Sequence, residues 1–338
     1  MDIRISFIIP VYNRPQEIRE LLKSLCEQVA KVFEVVIVED GSTISSETVV
    51  NAFHDALPIS YYTKSNSGPG ASRNFGMSRA KGDFFIILDS DCVLPKQYLK
   101  EVNAYLSNHQ VDFFGGPDAA DASFSNLQKA INFTMTSFLT TGGVRGSKKA
   151  LQKFEPRSFN MGISKTAFEK SGGFGRIHPG EDPDLTIRLW DLGFKSAFVE
   201  QAFVFHKRRI SWPLFFKQVH ALGRVRPILM KCYPAYAKPT YWLPLLFVFS
   251  LIAALVLAFI GVLFPLQLIL LYFILVFGSA LVLVRRFSVA LMVMPAFLIQ
   301  MFGYAWGFLK TKIVLMSSKG SIEEKFPNLY FKQGHEQA

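Results

Sequence analysis

Over the first two hundred residues, short apolar runs alternate with amphipathic stretches. Ile5 to Pro10, Phe33 to Val38, Ile59 to Thr63 and Phe84 to Leu88 are apolar with little polar alternation. Helical stretches open at Pro15, between the second and third runs, and at Gly70. Strands that are apolar on both faces and separated by helices predict a mostly parallel sheet covered on both sides. The pattern predicts an α/β, Rossmann-like nucleotide-binding domain over residues 1–205, without internal repeats. A further run, Ala197 to Phe205, predicts one more strand, and His206 follows it.

Beyond His206 the pattern changes. Aromatic and basic residues mix as far as Thr240, among them Trp212, Phe215, Lys217, Arg224, Arg226 and Tyr233. Such a stretch is expected to lie along a bilayer surface, broken into short pieces by Pro213, Pro227, Pro234 and Pro239. Trp242 to Phe264, Leu266 to Val284 and Val289 to Leu309 follow, each roughly 20 residues without Asp, Glu, Lys, Arg or His, long enough to cross a bilayer as helix. The chain therefore divides into residues 1–205, an interfacial stretch at 206–240, a membrane region of about three spans at 241–310, and a tail at 311–338.

Charge refines this picture. The net charge is +11, yet no acidic residue lies between Glu200 and Glu323, where thirteen basic residues sit. The basic excess belongs to the membrane-flanking region, where it meets anionic headgroups, and a nucleic-acid partner is not expected. Arg285 and Arg286 place the second inter-span loop inside, and the uncharged Phe264-Pro265 turn outside. Three full crossings would put Lys310, Lys312 and Lys319 outside, against that rule; a break at Pro295 would return the tail, and three spans remain the expectation. The apolar run after Arg4 is too short for a signal peptide. The expected location is the inner (cytoplasmic) membrane, multi-pass, with the α/β domain cytoplasmic. Three cysteines without metal-ligand spacing fit a reducing compartment.

Candidate chemistry collects where strands end. Phe84 to Leu88 runs into Asp89-Ser90-Asp91, two carboxylates that an extended backbone points the same way. At the carboxyl end of a strand they suit Mg²⁺ or Mn²⁺ bridging a phosphate, or they serve a turn and cap the next helix. The first strand runs into Pro10-Val11-Tyr12-Asn13-Arg14, the second into Glu39-Asp40-Gly41-Ser42, and the third into Asn66 to Asn74, whose glycines permit a tight path at a helix start with Arg73 near a phosphate. Further on, Gly180-Glu181-Asp182 delivers adjacent acids to a helix start, as a site or as a cap. Asp184 and Arg188 read as an i, i+4 pair.

In this order the pieces resemble the family-2 glycosyltransferases, over about the first 205 residues. Glu39-Asp40-Gly41-Ser42 is similar to the family's Asp-Asp-Gly-Ser motif with Glu39 for the first Asp, Asp89-Ser90-Asp91 to its Asp-X-Asp, and Glu181-Asp182 to its Glu-Asp pair. The resemblance implies a GT-A fold, a UDP- or GDP-sugar donor and an Mg²⁺ or Mn²⁺ cofactor. It gives Asp40 the nucleoside base, lines the cleft with Pro10, Tyr12 and Arg73, assigns Asp91 to the metal and Asp89 to the ribose or the metal shell. Asp182, paired with Glu181, would be the general base of an inverting displacement. Related enzymes place a late histidine near the metal, which makes His206 a candidate ligand; a surface histidine of a basic patch is its other reading, and Lys207 to Arg209 could screen phosphate.

Two departures narrow the implied function. The Gln-X-X-Arg-Trp motif of processive polysaccharide synthases is missing, the nearest match being Gln218 to Arg224. Enzymes that glycosylate polyprenyl phosphate attack with an ionised acceptor, whereas Glu181-Asp182 argues for a hydroxyl. The expected function is transfer of a sugar to a hydroxyl of a lipid-linked or membrane-associated acceptor in cell-envelope synthesis, with those two classes as alternatives. Asp118 to Asn160 is expected to shape the acceptor site, and Gly303 to Gly307 to pack against a neighbouring span or a second copy in a homo-oligomer.

Overall fold

The structure is a computed structural model that describes residues 3–119, 124–142, 154–207, 211–317 and 319–331. The chain forms two compact units: Met1–Asp121, Arg145–Lys207 and Pro327–Ala338 make the first, and Ala122–Val144 and Arg208–Phe326 the second. Two segments thus group differently from their place along the chain, residues 122–144 with the helices and residues 327–338 with the α/β unit.

The elements follow in order β1 (Ile5–Val11), α1 (Pro15–Cys26), β2 (Phe33–Asp40), α2 (Glu47–Asn51), β3 (Ile59–Lys64), α3 (Pro69–Arg79), β4 (Phe84–Leu88), β5 (Cys92–Val93), α4 (Tyr98–Asn108), β6 (Phe113–Gly115) and β7 (Asp118–Ala119). Next come α5 (Asn126–Thr136) and α6 (Phe138–Thr141) of the helical unit, then β8 (Asn160–Ser164), α7 (Lys165–Ser171), α8 (Glu181–Asp191), β9 (Ser196–Phe198) and β10 (Val204–His206). The main sheet has the order β3-β2-β1-β4-β8-β6-β9, with β1 to β4 mutually parallel and β8 antiparallel to both its neighbours. This is the mostly parallel sheet the apolar runs predict, and it agrees with the GT-A fold that the resemblance implies.

The apolar runs form strands because both their faces find partners. Phe7, Ile9, Val35, Ile37, Ile86 and Leu88 meet Leu21, Leu22 and Leu25 of α1 and Leu99 and Val102 of α4, all buried. Burying each such side chain contributes about 1.5–3 kcal/mol. On the other face α3 comes close at Gly76, where an added Cβ would strike Ile8 and Val38.

The run Ala197 to Phe205 departs from expectation: it is two short strands, not one. Ala202 N–H donates to Val199 C=O (3.1 Å) in a turn that exposes Glu200 and Gln201. The break moves the chain from the main sheet to a second one, ordered β5-β10-β7, in which His206 pairs with Cys92. A single strand would have continued along β6; the turn instead delivers His206 to the end of β4.

The helical unit adds α9 (Trp212–Cys232), α10 (Leu243–Phe259), α11 (Phe264–Val284), α12 (Phe287–Ser317) and α13 (Ile322–Lys325). Pro239–Phe259, Phe264–Val284 and Phe287–Ser317 are long and apolar enough to cross a membrane. Phe249, Ile252, Leu255, Leu270, Leu271 and Ile274 face outward, as lipid-facing positions do. Two prolines expected to break helices do not: Pro227 lies inside α9 and Pro295 inside α12. Each costs a helix about 3 kcal/mol in isolation. In α9 the cost is offset by packing along α12, which comes so close that Cβ atoms at Gly223 and Gly307 would strike the facing backbone at Tyr304 and His220. The small-residue stripe at Gly303 and Gly307 therefore packs within the chain.

Candidate active site

The carboxyl ends of β1, β2 and β4 bring their polar termini to one edge of the sheet, where open α/β sheets bind ligands. Asp91 is buried there between Arg14 and His206. Arg14 Nη1 lies 2.6 Å from its Oδ2, and His206 Nε2 lies 3.3 Å from its Oδ1. On its other side the His206 ring turns Nδ1 toward Asp118 Oδ2 at 3.9 Å. Asp118 thus sets a second carboxylate beside the imidazole, on the side away from Asp91.

Ligand atoms of Asp91, Cys92 and His206 lie within 4.8 Å of one another. Burial, and then the charges of Asp91 and Asp89, push the Cys92 thiol well above its usual range, so it stays protonated and donates to Phe159 C=O. The remaining donors, a carboxylate and an imidazole, suit a hard or borderline divalent cation rather than a soft one. The residues present therefore fit Mg²⁺ or Mn²⁺.

A second, buried network starts at Arg73. Its Nη2 donates to Asp89 Oδ1 (2.7 Å) and its Nη1 to Glu181 Oε1 (3.1 Å), while the guanidinium lies over the Phe174 ring. Burial opposes its charge, but Asp89, Glu181 and Asp182 outweigh burial and keep it ionised. Glu181 receives His178 as well, Nδ1 to Oε1 at 2.9 Å, and its Oε2 accepts from Gly180 N–H. Burial alone would raise Glu181; His178 and Arg73 reverse that and hold its carboxyl at about 2.

Asp182 next to it goes the other way. Burial, then the charge of Glu181, raises its carboxyl above the usual range, against Arg73, Arg157 and a hydrogen bond from Ser158. Neighbouring acids driven apart by their surroundings take different chemical roles. Glu181 is locked into an ion pair, whereas Asp182 Oδ1 is buried without a hydrogen-bond partner among the described residues. Asp184 closes the predicted pair with Arg188, Nη2 to Oδ2 at 2.9 Å.

The end of β2 is built into its own loops. Asp40 Oδ1 accepts from Lys64 Nζ (2.5 Å) and Ser67 N–H (3.0 Å), and Oδ2 from Gly68 N–H (3.0 Å). It thereby shapes the Gly-rich entry to α3, where Gly68 has φ +91°. Glu39 accepts from Ser46 N–H and the Tyr61 hydroxyl (both 2.8 Å) and from the Ser42 hydroxyl, bracing the loop after β2. Asn13 Oδ1 accepts from Thr43 N–H (2.8 Å) and Ile44 N–H (2.9 Å), tying the ends of β1 and β2 together. Pro10 is the last residue but one of β1, and Tyr12, just past its end, is half exposed.

Of the sequence-derived candidates, Asp89, Arg73, Glu181 and Asp182 thus form one network, Asp91 and His206 another, and Asp40 holds the Gly-rich segment. Sequence reasoning named Arg14 only within the Pro10 to Arg14 stretch and Asp118 only as the start of the expected acceptor region, and it missed His178. Arg14 follows the Pro-Val-Tyr-Asn stretch and His178 lies one helical turn before Glu181, which are the signals available for them. Residues 120–123 and 143–153 of the expected acceptor region, and Arg208 and Arg209, lie outside the described residues.

Residues 6–172 match the glycosyl transferase family 2 model, so the chain carries a family 2 glycosyltransferase domain. Among curated proteins, poly(ribitol-phosphate) β-N-acetylglucosaminyltransferase TarS of Staphylococcus aureus is 35% identical over 114 residues, 32% of this chain and 20% of TarS. An uncharacterised glycosyltransferase of Haemophilus influenzae is 31% identical over 139 residues, 40% of this chain and 56% of that protein. The match thus spans a fifth of the first relative's length and about half of the second's. The solved mannosyltransferase PcManGT of Pyrobaculum calidifontis, in complex with GDP-Man and Mn²⁺, has the same fold: TM-score 0.56, 16% identity, 89% of this chain and 88% of that one.

Proposed function

We propose that the protein is a membrane-anchored, metal-dependent, inverting glycosyltransferase. It moves a sugar from a UDP- or GDP-sugar to a hydroxyl of a lipid-linked or membrane-associated acceptor in cell-envelope synthesis. The observation that carries this reading is the geometry of the Glu181–Asp182 pair: Arg73 Nη1 (3.1 Å) and His178 Nδ1 (2.9 Å) hold Glu181, while Asp182 Oδ1 beside it is buried without a hydrogen-bond partner among the described residues.

Asp182 takes the proton of the acceptor hydroxyl as that oxygen attacks the anomeric carbon. The bond from that carbon to the diphosphate breaks, and the nucleoside diphosphate leaves with the electron pair. Arg73, fixed by Asp89 and Glu181, holds positive charge on the donor side of the site. Asp91 and His206 would hold the cation, which when bound supplies electrostatic stabilisation of charge on the leaving diphosphate. Asp40, Tyr12 and Pro10 would line the nucleoside end. The three apolar helices and the basic stretch around them support an anchor in the inner membrane with the α/β unit cytoplasmic.

The test is purified full-length protein with Mn²⁺ and a panel of nucleotide sugars, in native lipid, read by release of nucleoside diphosphate. Release from at least one donor is expected; none from any donor would sink the reading. Asp182→Asn separates it from a polyprenyl-phosphate transferase, which would keep its activity.

A further inference from the structure

The end of the described chain returns to the catalytic unit and seats itself on the loop that carries the acid pair. Tyr330 forms an antiparallel bridge with Ile177. On either side of it, His178 N–H donates to Leu329 C=O (2.8 Å) and Phe331 N–H donates to Arg176 C=O (3.2 Å). Leu329 is buried. The Phe331 ring lies 5.7 Å from the His178 ring, centroid to centroid.

The same ring reaches across to the Gly-rich segment. A Cβ at Gly68 would collide with the Phe331 ring, so that glycine provides the space the phenylalanine occupies. Phe331 therefore spans two loops with different tasks. Gly68 N–H is held by Asp40 at the entry to α3, which presents Arg73. His178 is held by Glu181 at the start of α8, which presents Asp182.

We propose that Leu329–Phe331 is a positioning element of the active site: a strap that pins the Arg176–His178 loop and, through the Phe331 ring, sets its distance from the Gly-rich loop. The physical case rests on backbone groups. Arg176 C=O and His178 N–H obtain their partners from the strap, and without it the hydrogen bond of the His178 ring to Glu181 is what remains, among the described residues, to fix its place. A loosened His178 withdraws its hydrogen bond from Glu181, whose charge then stands less compensated beside Asp182. The other groups facing Asp182 are Glu181, Arg73, Arg157 and Ser158, none of which touches the strap. Phe331 is a positioning residue and not a catalytic one.

The proposal rests on the transferase reading, and the experiment keeps the two apart. Hydrogen exchange by mass spectrometry is measured on the full-length protein in detergent, wild type against Phe331→Ala, on peptides covering residues 174–185 and, as a control, β1 and β2. Exchange is expected to rise at least 10-fold in the loop peptides and stay unchanged in the control strands. Unchanged loop exchange overturns the strap. In the transfer assay Phe331→Ala is expected to lower kcat and move the acid limb of the pH profile upward, in the same direction as His178→Ala, while Phe331→Tyr restores both. A kcat loss with an unmoved acid limb overturns the link from strap to acid pair. Raised loop exchange together with a wild type inert toward every donor would leave the strap standing and remove the transferase reading instead.

Discussion

Replacing Glu181 by Gln tests the buried network most directly, because the charge of Glu181 is what Arg73 and His178 both answer. The side chain is 6% exposed and its carboxyl is held at about 2 against an ordinary 4.5. A displacement of that size is worth about 3 kcal/mol of stability at neutral pH, at 1.36 kcal/mol per pH unit. The folded-state value is depressed, so the contribution is fully present above about 4.5 and is lost as the pH falls through about 2. Glu181→Gln should therefore lower the Tm of the full-length protein by roughly 6–12 °C at pH 7, taking 2–4 °C per kcal/mol for a unit of this size. At pH 3 the difference from wild type should shrink to about half or less. Thermal melts in one detergent at the two pH values give the answer. A gap equally large at pH 3, or a shift under about 2 °C at pH 7, would refute the assignment of Glu181 as an ionised, doubly paired group.

The other expectations are simpler. Glu181→Gln also removes a negative neighbour of Asp182, so the acid limb of kcat should move to lower pH; an upward shift would contradict the coupling. Asp182→Asn should cost about 10²–10⁴ in kcat while nucleoside diphosphate binding survives, and since the ionised form is disfavoured by burial, the Tm should hold or rise. A lowered Tm would count against the raised carboxyl. Asp91→Ala should abolish Mn²⁺ binding followed by electron paramagnetic resonance, and His206→Ala should weaken it; unchanged Mn²⁺ affinity in both would remove this site as the cation site. In α9, Gly223→Ala should destabilise the full-length protein by about 1–3 kcal/mol through overpacking, read as a lowered Tm, although the same change in an unencumbered helix stabilises by about 1 kcal/mol.

What the sequence made readable were features set by local periodicity or by neighbours in the chain. The four apolar runs became β1 to β4, and Asp89-Ser90-Asp91 fell at the end of β4, because alternation and strand termini are local properties. The Arg14–Asp91 and Arg73–Glu181 pairs were not readable, since each joins residues that only the sheet order brings together. Ala197 to Phe205 misled because apolarity marks burial and not continuity; Glu200 and Gln201 in its middle were the sign of a turn. Pro227 misled for the opposite reason, its local penalty being overridden by packing against α12 that no window of sequence contains. Leu329-Tyr330-Phe331 gave only a short apolar run in a polar tail, with nothing to name its partner.

That returning segment also makes the α/β unit discontinuous along the chain. Residues up to Asp121, from Arg145 to Lys207 and from Pro327 onward group into one unit, so its last piece is synthesised only after the whole helical unit. A chain stopped at Phe326 would keep every acid of the candidate site and lose Leu329, Tyr330 and Phe331, and with them the backbone partners they give Arg176 and His178.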